Sequence, residues 1–132
     1  MNVKIESSSS LLFNEMAGSQ LVVSVANQYG KVGLFDNSDN QLAVVMRYVD
    51  SNGKTTEQYP HNPFGATMGI CSYTCDSGRV TLMMAHIERS TFVSQQTWRV
   101  DISEDLCSPW VKVFVNARQW VEARHKERPP LS

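Results

Sequence analysis

The stretch from Gly78 to Arg89 constrains the fold most, because a turn, an apolar run and a His-x-Glu pair follow one another there without a gap. The polar sequence Asp76-Ser77-Gly78 is typical of a turn that reverses the chain. The run from Val80 to Ala85 is short and apolar except for one threonine, which favours a strand covered on both faces. The sequence therefore predicts a buried strand that carries polar side chains at its end.

His86 and Glu88 follow this strand with the spacing of a catalytic pair. In an extended segment, residues i and i+2 point to the same side, so the Glu88 carboxylate can accept the Nδ1 proton of His86 and set the tautomer of a general base. We take these two residues as the candidate catalytic residues, two members of a nucleophilic triad. Spacing alone does not establish the role, because His125 and Glu127 in the charged tail have the same spacing and no site around them.

The other signals predict a mainly antiparallel sheet. Apolar and β-branched runs predict strands at 2–6, 21–26, 31–35, 42–49, 55–59 and 69–74. The second and third of these form a predicted hairpin, and the last pairs with the strand at 80–84. Asn52-Gly53 favours a type I′ hairpin turn, and the spacing from Leu11 to Met16 predicts a short helix or turn. Residues 60–65 form a predicted irregular loop and residues 90–106 an extended surface connection that contains Trp98.

The last predicted element is a helix that begins near Ser108. Ser108 is a good N-cap, and Pro109 suits the first turn. The apolar residues fall on one stripe, made of Trp110, Val113, Phe114, Ala117, Trp120 and Val121. Strands first and one long helix last predict an α+β fold, and the stripe predicts that replacing either Trp110 or Phe114 by Ala destabilises the domain by roughly 3–5 kcal/mol.

Size, charge and cysteine content limit the classes of function that the chain can have. With 132 residues, 42% of them hydrophobic, residues 1–132 are long enough for a single domain with a core. Twelve basic and 13 acidic residues give a net charge of −1, which argues against a nucleic-acid or membrane partner. Three cysteines do not make a disulfide framework and no apolar leader opens the chain, so a reducing cytoplasm is the expected compartment.

No cysteine is expected to be a metal ligand or an evident nucleophile. Cys71 lies within a predicted strand and Cys75 in a predicted hairpin turn, where small structural side chains are usual. Cys107 stands just before the predicted helix, where a thiolate is favoured, so it is the candidate for a reactive thiol. The Cys71-x-x-x-Cys75 spacing has no second ligand pair beside it, which excludes a zinc site of the usual kind, and no cofactor is predicted.

A series of short motifs, in the same order, is similar to those of one protein family. Met83 to Arg89 resembles M-M-P-H-P-E-R, Met16 to Gln20 resembles M-x-G-S/A, and Arg47 to Lys54 resembles R-Y-x-D-x-x-G-x. Further matches are to T-E-x-Y-P-x-N-P at 56–63, to S/G-P-W at 108–110 and to N-A-R at 116–118. The family is phosphoribosylformylglycinamidine synthase, the amidotransferase of purine biosynthesis, and the part resembled is the C-terminal portion of its class I glutaminase domain. The resemblance covers about residues 3–122 and leaves a charged tail at 123–132.

The resemblance implies a fragment of the class I glutamine amidotransferase fold, an α/β fold represented here by its mainly antiparallel strands and its closing helix. In the family, a cysteine on a G-x-C-x-G-x-Q elbow attacks glutamine, the His/Glu pair manages its proton, and the ammonia passes to the synthetase domain. This sequence contains no such elbow. The resemblance therefore implies that His86 and Glu88 are a remnant dyad and that the chain is inactive alone.

Three loops depart from the family pattern while the scaffold motifs persist. Residues 26–30 read A-N-Q-Y-G in place of A-H-G-E-G, residues 62–66 read N-P-F-G-A in place of N-P-N-G-S, and residues 85–87 lack the two prolines of P-H-P. Replacing polar groups that line a substrate site leaves substrate groups unpaired. Glutamine binding by this chain is therefore doubtful.

Three interpretations remain open. The chain is a truncated, inactive relative of the glutaminase domain; or it is a binding module that docks on a synthase or another partner through the surface that its missing half would cover; or it is a fragment of an active multidomain ligase. In the first two, an uncovered apolar face and strand edge predict self-association.

Overall fold

The computed structural model describes residues 1–28, 30–32, 42–96 and 107–126. Five strands form one sheet in the order β2-β1-β3-β4-β5, and every neighbouring pair is antiparallel. The strands are β1 (Asn2–Ile5), β2 (Gln20–Val22), β3 (Leu42–Val49), β4 (Ile70–Cys75) and β5 (Thr81–Met83), and the described chain ends in the helix α1 (Val111–Lys126). The described residues also form 3₁₀ turns at Leu11–Phe13, Thr67–Gly69, Ile87–Ser90 and Val93–Gln95. The predicted mainly antiparallel sheet and the C-terminal helix are confirmed, while the class I assignment stays a prediction.

The core lies against one face of the sheet. Val3 and Ile5 are fully buried on β1, because alternate residues of a strand point to the same side. Leu11–Phe13 and the first turns of α1 cover this face and contribute Phe13, Trp110 and Val113 to the core. The cluster continues along β3 and β4 and past the ends of β2 and β5, with Val23, Val45, Met46, Tyr48, Cys71, Ala85 and Ile87.

The sheet curls until its two edges meet at one end. β2 and β5 are the edge strands, and the alternating antiparallel pairings make them run in the same direction. Past the end of each strand, Ser24 and His86 form an isolated antiparallel bridge, in which the His86 N–H donates to the Ser24 carbonyl at 2.9 Å. This contact places His86 where the two edges of the sheet close.

The prediction that β5 is covered on both faces was wrong. Val80 and Leu82 are 57% and 58% exposed, so the described residues leave one face of this segment open, and among them β5 pairs only with β4. β4 is the strand covered on both faces, with five of its six residues buried. The apolar run bounded by turns therefore predicted the hairpin correctly. It also predicted that β5 is the buried strand, whereas β4 is.

The predicted hairpin of residues 21–26 with 31–35 was also wrong in the part that the structure describes. β2 ends at Val22 and pairs with β1, while Lys31 and Val32 are not in a strand and residues 33–35 lie outside the described residues. Among the described residues, the backbone of β2 therefore pairs with the N-terminal strand β1.

The turn after β3 differs in type from the prediction. The Gly53 N–H donates to the Asp50 carbonyl, so Gly53 occupies the fourth position of the turn, with φ 75°. The Asp50 carboxylate accepts from the N–H groups of Asn52 and Lys54, which is the usual role of Asp at the first position of a turn. The returning segment 55–59 makes a single bridge, between Val49 and Thr55. Of the predicted connection at 90–106, the described part forms a 3₁₀ turn, and 97–106 lies outside the described residues.

The closing helix buries a narrower stripe than its sequence predicts. The Ser108 hydroxyl accepts the Trp110 N–H at 3.3 Å as the expected cap, and Trp110 and Val113 are 0% and 2% exposed. Phe114 is 49% exposed, and Trp120 and Val121 are also exposed. The buried residue of the next turn is Asn116, whose Nδ2 donates to the carbonyls of Leu12 and Asn14 at 2.9 Å each.

Replacing Trp110 by Ala is expected to lower the free energy of unfolding by roughly 3–5 kcal/mol, because it empties the core and removes the bond of its Nε1 to the Val22 carbonyl. Replacing Phe114 by Ala is expected to cost less than about 1 kcal/mol, because half of that side chain already meets solvent. Denaturant melts of both variants measure the difference. Equal losses would show that α1 buries its whole predicted stripe.

Candidate active site

His86 and Glu88 are in direct contact. The His86 Nδ1 and the Glu88 Oε1 lie 2.7 Å apart, and the two side chains are 38% and 58% exposed. The predicted contact is confirmed, but the expected extended geometry is not. β5 ends at Met83, and Glu88 lies in the 3₁₀ turn Ile87–Ser90, for which His86 is the N-terminal flanking residue. The tight turn, rather than the pleat of a strand, brings the carboxylate back to the imidazole.

The contact fixes the tautomer of the neutral imidazole. An ionised carboxylate only accepts hydrogen bonds, so the neutral ring carries its proton on Nδ1 and presents the lone pair of Nε2. Within the described residues, Nε2 has no hydrogen-bond partner. The hydrogen bond from His86, followed by that from the backbone N–H of Glu88, lowers the pKa of the Glu88 carboxyl. The arrangement is that of a base and the group that orients it.

The turn that carries Glu88 is held by the hydroxyls of Ser24 and Ser90, which the sequence did not single out, and of Ser108, which it predicted only as a helix cap. The Ser24 N–H donates to the Ser90 Oγ at 3.1 Å, and the Ser24 Oγ donates to the Arg89 carbonyl at 3.3 Å. The Ser108 Oγ, just before α1, donates to the Ser90 carbonyl. Serines are common in any sequence, and these partners are 18 to 66 positions apart, so no local pattern identifies them.

The three loops that depart from the family pattern are connected to the end of the sheet near the dyad. The strands β2, β3 and β5 all end there, and the connection from Val49 to Ile70 both leaves and re-enters the sheet at that end. A Cβ on Gly30 would lie 2.0 Å from the Met84 Cε, so Gly30 packs against the segment that leads to His86. The substitutions at 26–30, 62–66 and 85–87 therefore affect one region.

Asn62 stabilises the loop after β3 at this end of the sheet, with its side chain buried in the loop. It is 1% exposed, its Nδ2 donates to the carbonyls of Thr56 and Ala66, and its Oδ1 accepts the Ala66 N–H. These bonds use the side-chain amide to close the loop on itself. Asn62 thus has a scaffold role here, and Ala66 belongs to the buried core.

None of the three cysteines bonds to His86 within the described part of the chain. Cys71 is buried, and burial raises the pKa of its thiol to about 12, which keeps it protonated. Cys75 lies at the far end of β4, where a hydrogen bond with the Ser77 hydroxyl lowers the pKa of its thiol. Cys107 is exposed, and its backbone pairs with Phe92.

Two grooves formed by described residues have linings that do not include His86 or Glu88. An open groove of about 620 Å³ on the outer side of α1 is lined by Arg118, Val121, Glu122, His125 and Lys126. A smaller one of about 250 Å³ lies beside the serine contacts and is lined by residues 22–25, with Met1, Ser90, Gln95 and Gln96. His125 lies on a helix and Glu127 outside the described residues, so the second His-x-Glu pair forms no observed contact.

The described residues also bear on metal binding and on membrane insertion. No group of three or more His, Cys, Asp or Glu side chains in the described ranges is placed to hold a metal ion. No described helix has both the length and the apolar character needed to cross a membrane.

Comparison with known proteins identifies the family. Residues 1–121 match the family described as the CobB/CobQ-like glutamine amidotransferase domain. The fold is similar to that of a solved chain in the structure of PurLQS from Thermotoga maritima, with a TM-score of 0.59 and 21% sequence identity. The match covers 91% of this chain and 45% of that one, so the chain spans less than half the length of this relative. The resemblance predicted from the motifs is confirmed.

Replacing His86 by Ala is expected to raise the pKa of Glu88 toward that of an ordinary glutamate, because its main stabilising partner is lost. A carboxyl whose pKa is depressed on folding stabilises the folded state above its unfolded pKa, and that contribution disappears as the pH falls through the folded pKa. Carbon-detected NMR titration of the side-chain carboxyls measures the shift. Glu15, whose pKa is lowered by its bond with Lys112, is the internal control and should not move.

Proposed function

We propose, given that the chain belongs to the CobB/CobQ-like glutamine amidotransferase domain family, that residues 1–121 form the base-bearing part of a glutaminase site related to that of phosphoribosylformylglycinamidine synthase. The observation that carries the proposal is the 2.7 Å contact between the His86 Nδ1 and the Glu88 carboxylate. The position of this pair at the end of the sheet to which the altered family loops are connected supports the assignment. His86 is the general base, and Glu88 orients it.

The chemistry assigned to the pair is proton management during amide hydrolysis. A cysteine thiol gives its proton to the His86 Nε2 as the sulfur attacks the side-chain amide carbon of glutamine. The same proton passes to the departing nitrogen, which leaves as ammonia when the C–N bond breaks. Water then attacks the thioester, with His86 again as the base, and releases glutamate. Glu88 stabilises the imidazolium in both steps and does not itself take the proton.

The attacking cysteine is not assigned to any of the three cysteines in these 132 residues. Cys71 is buried with a raised thiol pKa, Cys75 lies at the opposite end of β4, and Cys107 makes no bond to His86. A base without a nucleophile adds little to hydrolysis, since triad members act as a unit. We therefore propose that the 132-residue chain is inactive when it is isolated.

The isolated chain is expected to form no glutamate from glutamine above background. The assay measures glutamate and ammonia with the purified wild-type chain and with His86→Ala, which removes the base but leaves the core intact because the side chain is partly exposed. A rate above background that His86→Ala abolishes would contradict the inactive assignment and make this chain an enzyme. The mass of the native gene product, compared with 14.9 kDa, tests whether the chain is part of a larger ligase.

A binding role is the second candidate, and the exposed edge strand favours it. Val80 and Leu82 leave more than half of their side chains in solvent beside backbone groups of β5 that face no strand within the described residues. Exposed apolar edges are typical surfaces for pairing with another chain. We propose that β5 docks on the part of a glutaminase or synthase that carries the nucleophile, and that it self-associates when that partner is absent.

Replacing Leu82 by Lys is expected to reduce self-association at micromolar concentration, because a charged side chain on an edge strand opposes pairing. Sedimentation velocity measures the change from dimer or larger species to monomer. Val121→Lys is the matched control, since Val121 is equally exposed but lies on α1. A monomeric wild-type chain, or an effect of Val121→Lys alone, would contradict a role for β5.

A further inference from the structure

We propose that Ser24 and Ser90 are positioning residues for the His86–Glu88 pair. The two hydroxyls fix the 3₁₀ turn Ile87–Ser90 against the strand extension at Ser24, and this sets the distance from the Glu88 carboxylate to the imidazole. The proposal rests on the proposed function, in which His86 is a base that needs an oriented ring. It assigns a role to two residues that belong to none of the motifs shared with the family.

Each end of the dyad segment is tied to Ser24. At the first end, the His86 N–H donates to the Ser24 carbonyl at 2.9 Å. At the second end, the Ser90 Oγ accepts the Ser24 N–H at 3.1 Å and lies 3.2 Å from the Ser24 Oγ, to which it donates. The Ser24 Oγ in turn donates to the Arg89 carbonyl at 3.3 Å. One residue of the β2 extension thus holds the turn on both sides of Glu88.

The Ser90 hydroxyl is the buried member of this arrangement. Ser90 is 2% exposed, and its carbonyl also accepts the Ser108 Oγ from the start of α1. Without the hydroxyl, the part-buried Ser24 N–H loses its protein partner, and a part-buried donor left unpaired is unfavourable. The turn then relieves this cost by moving away from Ser24.

Such a movement separates the dyad, because its two members lie on different parts of the segment. His86 remains bound to Ser24 through its backbone, whereas Glu88 moves with the turn. The Glu88 side chain is 58% exposed, so solvent and the neighbouring Arg89, 4.0 Å away, compete for the carboxylate as soon as the distance to Nδ1 increases. The tautomer of the neutral His86 ring therefore reports the position of the turn.

The experiment is a long-range ¹H–¹⁵N spectrum of the ¹⁵N-labelled chain at a pH where the imidazole is neutral. In the wild-type chain, His86 is expected to be mainly the Nδ1–H tautomer. In Ser90→Ala, the Nε2–H tautomer, which free histidine prefers, is expected to become the major form. Ser24→Ala should shift the population in the same direction, and Ser24→Thr, which keeps the hydroxyl at a partly exposed position, should restore the wild-type tautomer.

Ser10→Ala is the matched control. Ser10 is also buried, and its hydroxyl bonds to the Thr81 hydroxyl at 2.8 Å, at the opposite end of β5 from His86. A folded Ser90→Ala chain with an unchanged His86 tautomer, or an equal change in Ser10→Ala, would overturn the proposal. If Ser90→Ala does not fold, the Ser24 pair of variants decides in the same way. An Nε2–H tautomer already in the wild-type chain would instead contradict the dyad of the proposed function.

Discussion

The structure depends on the closure of a curled antiparallel sheet at one end, where the two edge strands meet through the Ser24–His86 bridge. Twist makes neighbouring strands rotate in a fixed sense, so a five-stranded sheet brings its edges together when a core fills its concave side. Trp110 lies at this closure, fully buried, with its Nε1 bonded at 2.6 Å to the carbonyl of Val22 on the edge strand β2. The dyad is held by backbone and hydroxyl contacts of the closure rather than by the strand that precedes it.

The sequence predicted the elements whose signals are local. The bounds of β3 at Leu42–Val49, the pairing of β4 with β5 and the cap at Ser108 all follow from periodicity and turn chemistry within a few residues. The contact between His86 and Glu88 was predicted for the same reason, although a 3₁₀ turn and not an extended segment produces it. Local patterns therefore identified which residues meet even where they gave the wrong backbone.

What the sequence did not predict depends on partners far along the chain. Periodicity shows that Phe114 and Leu82 lie on apolar stripes, but not whether another element covers them, and within the described residues both are about half exposed. No local signal in the sequence indicates that Asn116 is buried. Its burial depends on two carbonyls near Leu12, which accept its amide protons. The Ser24–Ser90 contact spans 66 positions and leaves no mark in either neighbourhood.

We propose that His86 is an oriented base in this member of the glutamine amidotransferase family, and its Nδ1 proton is the observable that reports the orientation. Low-temperature proton NMR of the ¹⁵N-labelled chain should show a downfield proton on the His86 Nδ1, protected from exchange by its bond to Glu88. The resonance should vanish in Glu88→Ala and persist in Glu127→Ala, which alters the other His-x-Glu pair. Absence of this resonance from the wild-type spectrum, or its persistence in Glu88→Ala, would contradict an Nδ1 proton held by Glu88.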